Sequence, residues 1–162
     1  MIGRIIQGED IALSNAQIVV NAANGFGFMG GKRCIKELHS GVAESIQYVS
    51  KGAVERLSKS LCRRHSLLGF PPGSAFLTEA PNMNTLFIIH AVTMRTPGSK
   101  TKFETIEKLV PKIIKLAEYL HLKTAAIPLL GTGTGGLPEM EVFGYLKSHL
   151  ADSSVEFWIY IK

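Results

Sequence analysis

Paired cysteines are missing from this chain. Its two, Cys34 and Cys62, stand far apart among 162 residues, which excludes a Cys-x-x-Cys zinc or redox motif and a disulfide-stapled scaffold. A reducing compartment, the cytoplasm, is the expectation. No grouping of His, Cys, Asp and Glu has ligand spacing either, so neither a metal site nor a resident cofactor is expected. Long apolar runs are also lacking: the stretch 86–91 falls far short of the ~20 residues that a membrane-spanning helix needs. No membrane partner is expected. The N-terminus moves from Met1 into strand-like Arg4, Ile5 and Ile6, without the charged and apolar regions of a secretory leader. Low-complexity tracts and repeats at solenoid periods are absent. Charged residues make up 19% against 46% hydrophobic, a balance that argues against disorder and for one packed domain over residues 1–162.

Acid is scarcer than base. Thirteen Asp and Glu face eighteen Lys and Arg, for a formal charge of +5 and a pI near 9.3. A positive field draws in phosphate compounds and speeds their encounter without choosing among them. Lys59, Arg63, Arg64, His65, Lys100 and Lys102 could form a nucleic-acid face. Such clusters are more often solvated helix faces and loop ends, and no base-reading motif accompanies them. A nucleic-acid-binding module is therefore an alternative without motif support.

Strand and helix patterns alternate along the chain. Residues 4–7, 18–21, 73–78, 86–92, 124–129 and 155–161 are short segments rich in branched or aromatic side chains, which gives six strands. Val54, Leu57 and Leu61 recur at helical spacing, as do Ile106, Leu109, Ile113, Leu116 and Leu120. A last helix opens at Pro138, read as a first-turn proline, and runs to about Leu150. Strands 86–92 and 124–129 are apolar throughout, as expected where helices cover both faces of a sheet. The hairpin-like pair across 73–92 adds an antiparallel partner. The expected fold is α/β, a three-layer α/β/α sandwich with a central mixed sheet.

Two glycine-rich loops follow two of these strands. Gly131-Thr132-Gly133-Thr134-Gly135-Gly136 lies between an apolar strand and a helix. Glycines permit close backbone approach, so several N–H groups can converge on an anion there, with Thr132 and Thr134 adding hydroxyls. Glycines also make plain tight turns. The spacing Gly131, Gly133, Gly136 satisfies the dinucleotide fingerprint, but that motif belongs to a first strand-helix unit with an acid ending the next strand. Here it lies near the C-terminus, and Glu156 opens a strand. The other loop, from Asn21 to Gly31, follows residues 18–20. If the two strands are parallel neighbours, both loops lie on one sheet edge and a diphosphate fits between them. Asn24 suits a ribose hydroxyl pair, or alternatively caps its own turn. Phe26, Phe28 and Met29 could stack on a base or sugar, or pack inward.

At this point the chain resembles the macrodomain family, of the ADP-ribose-binding or Appr-1″-p processing type, over nearly its whole length. Gly8-Glu9-Asp10-Ile11 is similar to the family's Gly-Asp-Ile element with one residue inserted. Residues 18–24 match its Ile-Val-Asn-Ala-Ala-Asn signature, and Gly30-Gly31 part of its first glycine loop. Residues 73–78, 88–92 and 127–137 resemble its Thr-ending strand, its His-containing strand and its second phosphate loop. The resemblance implies a cleft for ADP-ribose or an ADP-ribosylated protein. Asp10 would accept from the adenine amino group, beside Ile11. Gly30, Gly31 and the loop Gly131, Thr132, Gly133, Thr134, Gly135 and Gly136 would wrap the diphosphate, with Asn21, Ala22, Lys32, Arg33 and Cys34 among the other ligand-binding residues. Asn24 would hold the distal ribose and is the one residue to which a catalytic role is assigned.

The chain departs from the family where catalysis is concerned. Cys34 stands where one hydrolytic branch carries its Asp, and a thiol is a poorer hydrogen-bond partner for water than a carboxylate. Lys32 replaces a loop glycine and Arg33 follows it; the pair could grip the diphosphate or remain solvated. A second branch pairs a Lys nucleophile with a loop Asp, at positions that here hold Met94 or Arg95 and Gly135. His39 and His90 lack a visible carboxylate partner, which favours structural roles. Two readings stay open: an enzyme acting on an ADP-ribosyl linkage or on O-acetyl-ADP-ribose, with water activated by the substrate's own phosphate, and a non-catalytic reader.

Overall fold

The computed structural model describes residues 1–30 and 41–162. Among them, six strands form one sheet in the order β1-β6-β5-β2-β4-β3. These are β1 (Ile2–Gln7), β2 (Ile18–Asn24), β3 (Ala75–Glu79), β4 (Phe87–Met94), β5 (Thr124–Pro128) and β6 (Glu156–Ile161). All neighbours pair in parallel except β3, which runs antiparallel to β4. The six expected strands, the mixed sheet and the hairpin-like pair are all present.

Helices cover both faces. Alternation along each strand decides which side chain goes where. Ile18 and Val20 join Ile89, Ile127 and Ile159 in a core closed by Leu109 and Ile113 of α3 (Phe103–Tyr119) and by Val142 and Leu146 of α4 (Glu139–Leu150). Val19 and Ile88 point the other way, onto Ile46 of α1 (Val42–Val49) and Val54 of α2 (Ala53–His65). This is the three-layer sandwich expected from the apolar strands. Each fully buried Ile or Leu adds about 1.5–3 kcal/mol over an exposed one.

Strand ends shift by one to three residues from the sequence expectation, and the helices differ from it in two respects. Pro138 is the N-cap of α4 rather than its first residue, with extended ψ of 125°; its missing N–H costs nothing in either place. Helix α1 was not anticipated. Its eight residues hold Glu44, Ser45 and Gln47 among the apolar ones, which hides the Val42, Ile46, Val49 spacing that would have revealed it.

The parallel strands all end on one edge. Between Ala23 and Asn24 the register with β4 shifts, so Asn24 pairs with Met94. This irregularity releases β2 into its loop beside the end of β4. Open α/β sheets bind ligands at that edge.

Candidate ligand-binding cleft

A cleft of about 570 Å³ lies across the C-terminal ends of β1, β2, β4, β5 and β6, within the size range of small-molecule sites. Asn24 and Gly133 both line it, so the two glycine-rich loops face one groove. Asp10, Ile11, Ala22, Gly30, Gly131, Thr132, Thr134 and Gly135 line it as well. Asn21 and Gly136 do not. Asn21 is 1% exposed, and its Nδ2 donates to His90 Nδ1 at 3.1 Å on the α2 side of the sheet. Gly31, Lys32, Arg33, Cys34 and His39 lie outside the described residues.

The 131–136 loop divides its polar groups by direction. Four of its six carbonyls are bound back into the protein: Gly131 O accepts from Leu137 N, Gly133 O from Gly136 N, Thr134 O from Lys100 Nζ and Gly135 O from Thr101 N. The N–H groups of Gly133, Thr134 and Gly135 have no acceptor among the described residues. Gly133 and Thr134 are exposed and Gly135 is buried, so three adjacent donors on the cleft wall are left open for an anion, as in a main-chain nest. Thr132 Oγ1 donates to Leu129 O at 2.7 Å and braces the loop from below.

Glycine is required in this loop for different reasons at different positions. Gly131 has φ of +74°, and a Cβ at Gly135 would sit 2.4 Å from Thr101 Oγ1 and 2.5 Å from Gly131 O. Gly133 has neither constraint: its φ is not positive and a Cβ there would meet nothing within 4 Å. Folding alone does not call for glycine at Gly133, whereas an approaching ligand would.

Across the groove stands the first turn of α1, with Gly41, Val42, Ala43, Glu44 and Ser45 on the wall. Its N-cap, Gly41, offers no side-chain hydrogen bond. The positive end of the helix dipole therefore borders the same cleft as the free amides, with Glu44 in its first turn. The Gly41 to Ser45 wall was missed by the sequence reading, together with its helix.

Asn24 is the hub of its own turn. Its Oδ1 accepts from Phe26 N at 3.1 Å and Phe28 N at 3.2 Å, and its Nδ2 donates to Phe28 O at 2.8 Å. An amide has two N–H donors, so one remains for the cleft. Phe28, 43% exposed, stays on the wall with Lys59 Nζ 5.1 Å from its ring centroid. Met29 turns into the core, its N–H donating to Glu55 Oε2 at 2.6 Å.

At the other end Asp10 caps the short 3-10 turn Ile11–Leu13, Oδ1 accepting from Ala12 N at 2.9 Å. Its second oxygen has no partner among the described residues. His90 is fully buried, stacked on Phe76 with centroids 4.6 Å apart, and held between Asn21 and Thr78. Burial pushes its pKa down to about 3. With Asn21 Nδ2 donating to Nδ1, Nε2 carries the proton and donates to Thr78 Oγ1. It is a neutral core residue. Met94 lines the cleft, while Arg95 turns its Nη1 to Leu68 O at 2.8 Å. No group of three or more potential metal ligands occurs among the described residues, nor is any described helix long and apolar enough to cross a membrane.

Fold and cleft together define an open α/β protein with an anion-binding groove at its switch edge. A family model for the Macro domain matches residues 20–145, and the chain belongs to that family. A protein of Aquifex aeolicus described only as uncharacterized is 32% identical over 136 residues, 84% of this chain and 73% of its own. O-acetyl-ADP-ribose deacetylase 1 of Pantoea vagans is 29% identical, over 83% of this chain and 72% of its own. Among solved structures, the macrodomain of Mycobacterium tuberculosis DarG superposes with a TM-score of 0.80 at 22% identity, covering 99% of both chains.

Proposed function

We propose that the cleft binds ADP-ribose, free or attached to a protein. The carrying observation is that the N–H groups of Gly133, Thr134 and Gly135, without acceptors among the described residues, line the same cleft as the first turn of α1, so two sets of main-chain donors border one groove. The open oxygen of Asp10 would accept from the adenine amino group at one end, with Ile11 beside it. The remaining Asn24 donor would meet a hydroxyl of the distal ribose at the other. Gly31, Lys32, Arg33 and Cys34, which lie outside the described residues, are proposed as further contacts for the ligand. The likeness to a Pantoea vagans protein named for O-acetyl-ADP-ribose supports this choice of ligand.

Calorimetry with ADP-ribose, ADP, AMP, NAD and adenosine tests the reading. Tighter binding of ADP-ribose than of ADP is expected if the distal sugar is held; equal affinities for all five would reject it.

Turnover is a second reading, favoured by the same named likeness. Water would be activated by the substrate's own phosphate beside Asn24, without a carboxylate from the first loop. Incubation with O-acetyl-ADP-ribose and with mono-ADP-ribosylated protein distinguishes the two: an enzyme releases product, and a reader only binds. A reducing cytoplasmic setting belongs to the same proposal, supported by a buried, free Cys62.

A further inference from the structure

The hydrogen bond from Gly136 N to Gly133 O, at 3.0 Å, closes a four-residue turn with Thr134 and Gly135 at its centre. Such a turn has two forms that differ by rotation of the central peptide. One has negative φ at the third residue; the other needs positive φ there, which glycine accepts freely. Gly135 does not adopt positive φ here, yet as glycine it could.

In a trans peptide the carbonyl of one residue and the N–H of the next point in opposite directions. Holding the Thr134 carbonyl therefore aims the Gly135 N–H the other way. The group that holds it is a side chain, the Lys100 ammonium, with Nζ 3.2 Å from Thr134 O. The neighbouring carbonyls of Gly131, Gly133 and Gly135 are held by main-chain amides, which only a proline substitution would remove. Below the loop, Thr101 is 7% exposed, donates its N–H to Gly135 O and its hydroxyl to Thr93 O at 3.2 Å, and so anchors the segment that carries Lys100.

We propose that Lys100 is a positioning residue for phosphate recognition: its grip on the Thr134 carbonyl selects the turn that presents the Gly135 N–H to the cleft. Without it the Thr134–Gly135 peptide is free to rotate, replacing a donor with a carbonyl that repels an anion. The inference rests on the ADP-ribose reading for its ligand, but the peptide orientation is a property of the free protein. Lys100 thus acts through the loop rather than as a second cation on the phosphate.

The experiment compares wild type with Lys100→Met, which keeps the stem and loses the donors, and Lys100→Arg, which keeps donor and charge. Amide NMR of the unliganded proteins should show the Gly135 and Thr134 signals displaced in Lys100→Met and near wild type in Lys100→Arg. Titration with inorganic pyrophosphate should move the Gly133, Thr134 and Gly135 amides in wild type and lose the Gly135 response in Lys100→Met. Calorimetry should show ADP-ribose weakened about tenfold or more by Lys100→Met, the range for losing one hydrogen bond to a charged group. Adenosine affinity should be unchanged. Weaker ADP-ribose binding with an unmoved Gly135 amide would mean that Lys100 acts only through its charge, and overturns the proposal. So would unchanged binding in Lys100→Met. Absence of ADP-ribose binding by wild type would refute the functional reading instead, while the unliganded Gly135 signal would still decide the role of Lys100.

Discussion

Replacing Gly133 with Ala should strengthen the fold and weaken the ligand. A Cβ built there meets no atom within 4 Å, and the backbone is not in the left-handed region, so the folded chain accommodates the methyl without strain. Gly→Ala at such a position stabilises by about 0.4–1 kcal/mol, through lost freedom in the unfolded chain. For a chain of this size the melting temperature should rise by roughly 1–4 °C. The methyl would occupy space beside the three free amides. If a phosphate oxygen normally sits there, at least one charge-assisted hydrogen bond is lost, worth about 1.5–3 kcal/mol, or roughly ten- to a hundredfold in Kd. Gly135→Ala is the contrasting variant. Its Cβ would lie 2.4 Å from Thr101 Oγ1 and 2.5 Å from a main-chain oxygen, so stability should fall by about 1–3 kcal/mol. Scanning calorimetry and ADP-ribose titration of both variants read out the four numbers. A Gly133→Ala protein that is more stable and binds ADP-ribose as tightly as wild type would refute the assignment of this loop to the phosphates.

Acid should unfold the protein partly through His90. Its folded pKa of about 3 lies below the unfolded 6.5, so between these values the unfolded chain takes up a proton that the folded one refuses. Stability is full above pH 6.5 and falls by about 1.4 kcal/mol per pH unit down to pH 3; urea melts of His90→Gln should show a flatter slope over that window. Asn24→Asp keeps the acceptor for Phe26 and Phe28 but sets a carboxylate against the Phe28 carbonyl that Nδ2 now serves. Stability should drop by about 1–3 kcal/mol, and ADP-ribose affinity should fall more than adenosine affinity; equal losses would confine Asn24 to the fold. Burial pushes the Cys62 thiol up to about 11. In a Cys34→Ser background, iodoacetamide at pH 8 should label Cys62 only after denaturation, and labelling of the native protein would contradict its burial.

The sheet was legible in sequence because burial on two faces leaves a plain mark. Val19, Val20, Ile88 and Ile89 are buried on opposite sides, and nothing but apolar residues serves there. The cleft was legible because two loops of unusual glycine content follow two such strands. What lay inside the cleft was harder to read, since it depends on directions that residue types do not encode. Phe26, Phe28 and Met29 differ little as a composition, yet only Phe28 faces the groove. Asn24 could equally have been a turn hub or a ligand donor, and its spare N–H leaves it able to be both. The contact between Lys100 and Thr134 joins positions 34 apart in sequence. Two of the carboxylates on the wall, Glu44 and Glu139, arrive on helix N-termini whose placement only the fold determines.

Net charge was a poor guide to the groove. The chain carries +5, but the charged side chains on the described cleft wall are Glu9, Asp10, Glu44, Glu139 and Lys162, mostly acids. The positive field serves the encounter of protein and anion at long range, and on the described wall the short-range donors are neutral amides. These have different consequences. An ammonium is a mobile point charge that follows any phosphate within reach, whereas amides fixed by the turn at Gly133 to Gly136 are satisfied only by oxygens at their own spacing. Acidic neighbours sharpen the distinction, because an anion that misses the amides meets repulsion instead of a second site. Recognition by main-chain dipoles beside these acids would therefore select for the shape of the diphosphate.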